Sequence, residues 1–269
     1  MLSKKSLETF KLTSVIIPCY NSGEFLPEAI ASVVNSGFPE VELIIVNDGS
    51  TDPYTLEVLS NLDSNQIKLL SQENQGPAAA RNSGVKEAKG EFLLFLDADN
   101  LILPGYIQKA SSLLKANSRL GVVYANPIFF GETDSISRFY PQPYDIKDLL
   151  LGNYIDMCSI VRRQVFADLG GFDEHRDLIG WEDWEFWLRV AQTNWEFHYL
   201  NESLFKYRIR RESLMGQSTA MKKDVMLAYL GAKHGKFFHK QLRSAIRTNK
   251  IVERRTIQFW LKKWFLKSS

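Results

Sequence analysis

Cysteine is scarce in this chain. Cys19 and Cys158 are the only two among 269 residues. They exclude a disulfide-stapled framework, and their separation matches no metal-ligand spacing. A reducing cytoplasm is the expected compartment. Long apolar runs are also lacking. Stretches such as Phe92-Leu-Leu-Phe-Leu96 suit a buried strand and fall far short of the ~18–20 residues of a membrane span. Met1 to Lys11 holds no apolar segment of the kind a secretory signal needs. Net charge is almost nil, with 33 Lys+Arg against 31 Asp+Glu. With 45% apolar residues, that composition excludes a disordered chain. Two nucleotide-binding signatures are missing as well. No Gly-x-Gly-x-x-Gly follows the first expected strand and no Gly-Lys-Ser/Thr occurs, which disfavours a nicotinamide enzyme or a P-loop NTPase.

What is present is ordered along the chain. No repeat, low-complexity stretch or Pro/Gly/Ser linker interrupts it. The first hundred residues alternate apolar runs with helical patterns. Strands are expected at Ser14–Pro18, Val41–Val46, Ile67–Leu70 and Glu91–Leu96. Helices are expected at Gly23–Asn35, with Phe25, Ala29, Ile30 and Val33 on one face, and at Pro53–Leu62 and Pro77–Ala88. Continuous apolar strands alternating with helices predict an α/β fold with a parallel sheet covered on both faces. Further on, the pattern predicts helices at Pro104–Ala116, Arg163–Leu169 and Trp181–Gln192. It predicts strands at Leu120–Tyr124, Asp156–Val161, Trp195–Leu200 and Leu204–Arg208. Beyond about residue 220 the pattern is helical and basic.

In such sheets ligands bind beyond the carboxyl ends of the strands, and those ends carry polar chemistry here. The first ends in Pro18-Cys-Tyr-Asn21 and the second in Asn47-Asp-Gly-Ser-Thr-Asp52. The third leads to Glu73-Asn-Gln-Gly76 and Ala80-Arg-Asn-Ser-Gly84, and the fourth ends in Asp97-Ala-Asp99. Asp97 and Asp99 offer oxygen ligands suited to Mg²⁺ or Mn²⁺, or Asp97 simply caps the next turn. Asp48 belongs equally well to an ordinary Asp-Gly-Ser turn. Tyr20 is placed either to stack on a base or to pack in the core. Downstream, Gly180-Trp-Glu-Asp-Trp-Glu-Phe-Trp-Leu-Arg189 sets Trp184, Trp187 and Leu188 at helical spacing for a packed stripe. Glu182 and Asp183 sit at the helix start, where acids favour the positive dipole end. A carboxylate there, ringed by tryptophans whose faces suit sugar rings, is also a candidate general base. Arg208, Arg210 and Arg211 form a cluster able to hold a diphosphate, or else a solvated basic loop.

Taken together and in order, Val15-Ile-Ile-Pro-Cys-Tyr-Asn21, Val46-Asn-Asp-Gly-Ser-Thr-Asp52, Gly76-Pro-Ala-Ala-Ala-Arg-Asn-Ser-Gly84, Phe95-Leu-Asp-Ala-Asp-Asn100, Gly170-Gly-Phe-Asp173 and Trp181-Glu-Asp-Trp184 closely resemble the family-2 glycosyltransferases of the GT-A fold. The resemblance covers about residues 12–215. It implies a Rossmann-like, mostly parallel sheet flanked by helices. It also implies inverting transfer, of the hexosyl or N-acetylhexosaminyl class, from a nucleotide-diphosphate sugar, UDP being the default. By matching motifs, Pro18, Tyr20 and Asn21 line the nucleotide pocket. Asp48, the Asn74-Gln75-Gly76 turn and Arg81 contact base or ribose. Asp97, Ala98 and Asp99 form the carboxylate motif for a divalent metal (Mn²⁺ or Mg²⁺) and the ribose, with Asp99 the first metal ligand and Asp97 the second. Asp183 matches the catalytic base, and Glu182 supports it or contacts the acceptor. Many members carry a His in a late Tyr-Arg-x-His-x-x-Ser pattern; here that position is Arg210, which can neutralise phosphate but not readily ligate a metal.

Residues 1–220 are expected to form one such domain, with a nucleotide-sugar half to about 100 and an acceptor half from 101. Residues 221–269 form a basic, aromatic extension. Residues 231–269 hold 11 Lys+Arg and one Asp+Glu, whereas 1–230 hold 22 against 30. A basic amphipathic helix with Phe259, Trp260, Trp264 and Phe265 suits an anionic membrane surface, and with it a saccharide or lipid-linked saccharide acceptor in polysaccharide or glycoconjugate synthesis. Packing on the acidic body or on a second subunit of a homo-oligomer is the other reading. Nucleic acid is not an expected partner, since no binding motif accompanies the charge. Two further functions stay open on sequence: a catalytically silent nucleotide-sugar-binding module and a nucleotidyltransferase.

Overall fold

A computed structural model describes residues 12–132, 139–210 and 223–247. The chain divides into two compact units, Met1–Met226 and Leu227–Ser269. In the first unit, strands β1 (Thr13–Cys19), β2 (Val41–Asp48), β3 (Ile67–Gln72) and β4 (Phe92–Phe95) run parallel, joined by helices α1 (Leu26–Val34), α2 (Pro53–Ser60) and α3 (Pro77–Glu87). Central β1 carries Val15, Ile16 and Ile17 with no exposed surface, as a strand covered on both faces requires. Edge strand β3 is less covered, and Leu69 is exposed. Two helix starts show why the chain turns where it does. Asp52 caps α2 by accepting from Thr55 N at 2.8 Å. Pro77 opens α3, where its missing N–H costs nothing.

The sheet then reverses. β7 (Ile160–Arg162) lies antiparallel beside β4, β6 (Leu120–Gly131) antiparallel beside β7, and β8 (Glu196–Ile209) parallel to β6. The short β5 (Leu101–Ile102) pairs with the far side of β8, giving the order β3-β2-β1-β4-β7-β6-β8-β5. Helices α4 (Tyr106–Ala116), α5 (Ile146–Leu151), α6 (Arg163–Leu169) and α7 (Glu182–Val190) complete the unit. The result is a mixed, mostly parallel sheet flanked by helices, as expected.

Several details depart from the sequence pattern, each for a physical reason. The strand expected from Asp156 begins only at Ile160. Asp156 instead turns the chain locally, accepting from Cys158 N at 2.8 Å and, through its carbonyl, from Ser159 Oγ at 2.6 Å. Local side-chain bonds of this kind compete with ladder pairing. The two strands expected between Trp195 and Arg208 are one long strand, because β6 extends past Tyr124 and pairs with it through register shifts around Asn126 and Pro127. A proline inside the sheet is tolerated at such an irregularity. On α1 the buried face is Leu26, Ala29 and Val33, and Phe25 lies before the helix. Helix α5, which the pattern did not predict, is capped by Asp145 through Lys147 N at 2.7 Å. In the second unit, residues 227–247 are helical. The aromatic segment Phe259–Phe265 and the basic residue Arg211 lie outside the described residues.

Helix α3 approaches β1 and β2 closely at Gly84. A Cβ there would meet Ile16 Cγ2 at 2.5 Å and Val46 Cγ2 at 3.3 Å, both side chains fixed in the core. Gly84→Val is expected to destabilise the fold by roughly 1–3 kcal/mol, the range for overpacking a tight interior. The shift of the denaturant midpoint measures it.

Candidate active site

The carboxyl ends of β1, β2 and β4 converge on one edge of the sheet. Asn21, just past β1, adopts φ 48°, a left-handed conformation asparagine tolerates. Its Oδ1 accepts from Thr51 N at 2.8 Å and Asp52 N at 2.9 Å, tying the β1 loop to the β2 loop. Pro18 is half-buried in β1. Tyr20 is 48% exposed, so its ring stands outside the core and is free to stack on a ligand.

Asp48 is buried, and the chain itself uses both its oxygens. Oδ1 accepts from Gln72 Nε2 at 2.7 Å and Gln75 N at 3.0 Å, and Oδ2 from Gly76 N at 2.8 Å. The carboxylate thus shapes the turn of Asn74, Gln75 and Gly76. Gly49 makes that closeness attainable: its φ is 71°, and a Cβ would stand 2.6 Å from Asn74 N.

Arg81 projects from α3 and is almost wholly buried. Its Nη2 donates to Asp97 Oδ1 and its Nη1 to Glu182 Oε1, each at 2.6 Å. The two carboxylates outweigh burial and hold the guanidinium pKa above its usual value. Glu182 Oε2 also accepts from Gly180 N at 2.7 Å. Next to it, Asp183 accepts from Trp184 N through Oδ1 and from Asn153 Nδ2 through Oδ2, both at 2.7 Å. Burial, reinforced by the neighbouring charges of Glu182 and Asp156, drives the Asp183 pKa well above the carboxylate range. The tryptophan stripe packs as expected, with Trp184, Trp187 and Leu188 buried.

At the end of β4, Ala98 is buried, while Asp97 and Asp99 side chains keep 36% and 17% of their surface exposed. Burial and the charge of Asp97 raise the Asp99 pKa against the pull of Arg210. The reversed strand adds a carboxylate that no motif had marked. Because β7 runs antiparallel to β4, with Leu94 opposite Ile160, the chain entering β7 lies beside the chain leaving β4. That places Asp156 near Asp97, and desolvation together with the Asp97 charge pushes its pKa up to about 7. Desolvation raises the pKa of the half-buried Tyr207 phenol on β8, and the same charges, Asp156 foremost, add to it. Asp156, Asn153 and Tyr207 were missed because their roles come from sheet topology. Asp156 read only as the start of a strand.

The arginine cluster separates into two different environments. Arg208 is spent on the protein. Its backbone N donates to Asn100 Oδ1 at 2.9 Å, Nε to the Asp99 carbonyl at 3.0 Å and Nη2 to Glu28. Its guanidinium also lies over the rings of Phe25 and Phe130, at 4.8 and 4.4 Å. Arg210 pairs with Asp99 alone among these acids. Arg81, Asp97, Asp99, Glu182, Asp183 and Arg210 are therefore the expected site residues that the fold joins into one charged network. Pro18, Tyr20, Asn21, Asp48 and the Asn74–Gly76 turn lie along the adjoining edge.

Arg81→Met would leave Glu182 buried without its cation. The expected cost is about 3–5 kcal/mol, the usual result of removing one partner of a buried pair, read as a drop in thermal stability.

Residues 14–170 match the sequence profile of glycosyl transferase family 2. An uncharacterized glycosyltransferase of Haemophilus influenzae is 38% identical over 182 residues, covering 66% of this chain and 70% of its own. Among solved structures, S. aureus TarS 1–349 in complex with UDP superposes with a TM-score of 0.61 at 25% identity, over 75% of this chain and 61% of that one. Mannosyltransferase PcManGT from Pyrobaculum calidifontis, in complex with GDP-Man and Mn²⁺, superposes with a TM-score of 0.64 at 18% identity, over 85% and 65% of the two chains. Both solved chains extend well beyond the matched part. The sheet is that of a GT-A glycosyltransferase, and the chain belongs to glycosyl transferase family 2.

Proposed function

We propose that this chain moves a sugar, of the hexosyl or N-acetylhexosaminyl class, from a nucleotide-diphosphate sugar to a hydroxyl acceptor with inversion, and that Asp183 is the general base. The observation that carries the reading is the setting of Asp183. It is half-buried at the first turn of α7, held by Asn153 and by Trp184 N, and its pKa is raised. A raised pKa makes a carboxylate a better proton acceptor. Asp183 takes the acceptor's hydroxyl proton as that oxygen bonds to the anomeric carbon. The bond from that carbon to the diphosphate oxygen breaks with its electron pair, and the nucleoside diphosphate departs. One displacement from the opposite face inverts the centre and needs no covalent sugar–enzyme intermediate.

Glu182, fixed by Arg81 and Gly180 N, orients the start of α7. Pro18, Tyr20, Asn21 and the turn held by Asp48 receive the nucleotide, and Arg81 positions Asp97 behind them. UDP remains the default, supported by the TarS complex, although the mannosyltransferase complex holds GDP-Man. The oxygens of Asp97 and Asp99 suit a hard divalent cation, and the mannosyltransferase complex contains Mn²⁺. Among the described residues no three His, Cys, Asp or Glu side chains are grouped to hold a metal, so Asp97, Asp99 and the donor's phosphates would share it. Such an ion would neutralise charge building on the leaving diphosphate. The acceptor we propose is a saccharide or lipid-linked saccharide of polysaccharide or glycoconjugate synthesis. Supporting this is the helix of residues 227–247, with Lys233, Lys236, Lys240, Arg243 and Arg247 and no acid, a charge that suits an anionic membrane face. No helix among the described residues is long and apolar enough to cross a membrane.

Asp183→Asn tests the base. Turnover is expected to fall by about 10²–10⁴-fold, while stability at neutral pH holds or rises. Native Asp183 keeps its proton at pH values where the unfolded chain, with a pKa of ~4, has lost it. The native state therefore binds more protons in that window, and stability declines as pH rises through it. Asparagine removes that penalty. Steady-state turnover and thermal denaturation check the two halves. Unaltered transfer would show that Asp183 is not the base. In the native enzyme the acid limb of the rate profile should lie above the ordinary carboxylate range.

A calorimetric panel of UDP-, dTDP- and GDP-sugars tests the donor. Tight binding of one is expected. Failure of all three classes with folded protein would overturn the donor reading.

A further inference from the structure

We infer that Arg210 is the resident cation of the diphosphate subsite: it takes a place on Asp99 for which a divalent ion must compete, and it offers its free donors to the donor's phosphates. The inference rests on the nucleotide-sugar reading above and deepens it.

The geometry has three parts. First, Arg210 Nη2 lies 2.7 Å from Asp99 Oδ2, so the oxygen that faces a cation already has one. Second, Arg210 Nε is buried and has no hydrogen-bond partner among the described residues. A buried donor left unsatisfied costs free energy, and a phosphate oxygen would satisfy it. Third, the guanidinium is held over the Phe25 ring at 4.8 Å. That face-on contact restrains its plane, and a restrained fork suits the two oxygens of a phosphate. Arg208 shares Phe25 but cannot share the role. Its Nε and Nη2 are already committed to the Asp99 carbonyl and to Glu28. Asp97 has its own cation in Arg81. Both carboxylates of the Asp97-Ala98-Asp99 motif are thus neutralised from within the chain.

A guanidinium does not ligate a metal, so Arg210 and a divalent ion cannot share one oxygen of Asp99; two cations so close would repel. An ion entering at Oδ2 displaces Arg210, and one entering at Oδ1 is opposed by the neighbouring guanidinium charge. Without the ion, Arg210 stays and still provides positive charge to a diphosphate.

The test is binding, not turnover. UDP and GDP are titrated calorimetrically into the native chain and into Arg210→Ala, once in EDTA and once with Mn²⁺. Mn²⁺ alone is also titrated into both proteins. The native chain is expected to bind one nucleotide in EDTA. Arg210→Ala should weaken that binding by about ten- to a hundredfold, the worth of one hydrogen bond to a charged group. Adding Mn²⁺ should restore much of the loss, and Mn²⁺ alone should bind the variant more tightly than the native chain. Arg210→Lys, which keeps a charge without the fork, should fall between. Nucleotide binding by the native chain only with Mn²⁺, an unchanged affinity of Arg210→Ala in EDTA, or equal Mn²⁺ affinities would overturn the inference while leaving the donor reading intact. Failure of both nucleotides under both conditions, together with failure of the dTDP-sugars in the donor panel, would overturn both.

Discussion

The guanidinium of Arg81 is the interaction on which the site depends. It reaches from α3 on the parallel side of the sheet to the end of β4 and to the first residue of α7. Each carboxylate alone would be poorly placed so close to Asp99, Asp156 and Asp183. A buried cation between Asp97 and Glu182 makes the gathering tolerable, because desolvated charges persist only when paired. The fork also fixes distance. Its two 2.6 Å bonds set where the strand end stands relative to the helix start, and so where Asp97 stands relative to Asp183. Phe172, 5.9 Å from the guanidinium carbon, helps close the other side.

Around that anchor the chain concentrates negative charge. Asp99, Asp156 and Asp183 all have raised pKa values, and each is raised first by burial and then by another carboxylate. Such a site costs stability in the free protein, and functional sites often carry this kind of strain. For the transfer proposed above, the same arrangement would welcome positive charge beside the leaving diphosphate and supply a basic oxygen for the acceptor's proton. Arg210 relieves one end of it and the hydrogen bonds of Asn153 and Trp184 N steady the other.

The nucleotide half was legible because its information is local. Val15–Ile17 had to be a covered strand, Asp52-Pro53 and Gly76-Pro77 had to open helices, and Asp97 and Asp183 stood in short motifs. The acceptor half was less so. β6 and β8 run on together because each stabilises the other's extension, and neither stretch announces this alone. Asp156 joins the site only because β7 reverses direction beside β4, a property of the sheet rather than of any window of residues. The different duties of Arg208 and Arg210 depend on Glu28, Asn100 and Phe130, which lie far from them in the chain.

The antiparallel return of β7 also orders events in time. Arg81 and Glu182 are separated by 101 residues. At a synthesis rate of ~5–20 residues per second, the cation waits roughly 5–20 s on the ribosome for its second carboxylate. Through that interval β1 to β4 can pair, since all four strands have already been made, but β4 does not yet have β7 beside it. Pairing across such separations is slow as well as late. The Arg81–Glu182 link is therefore a late contact of the first unit, and an emerging chain passes through a stage in which β1 to β4 are built while the charged network is still unassembled.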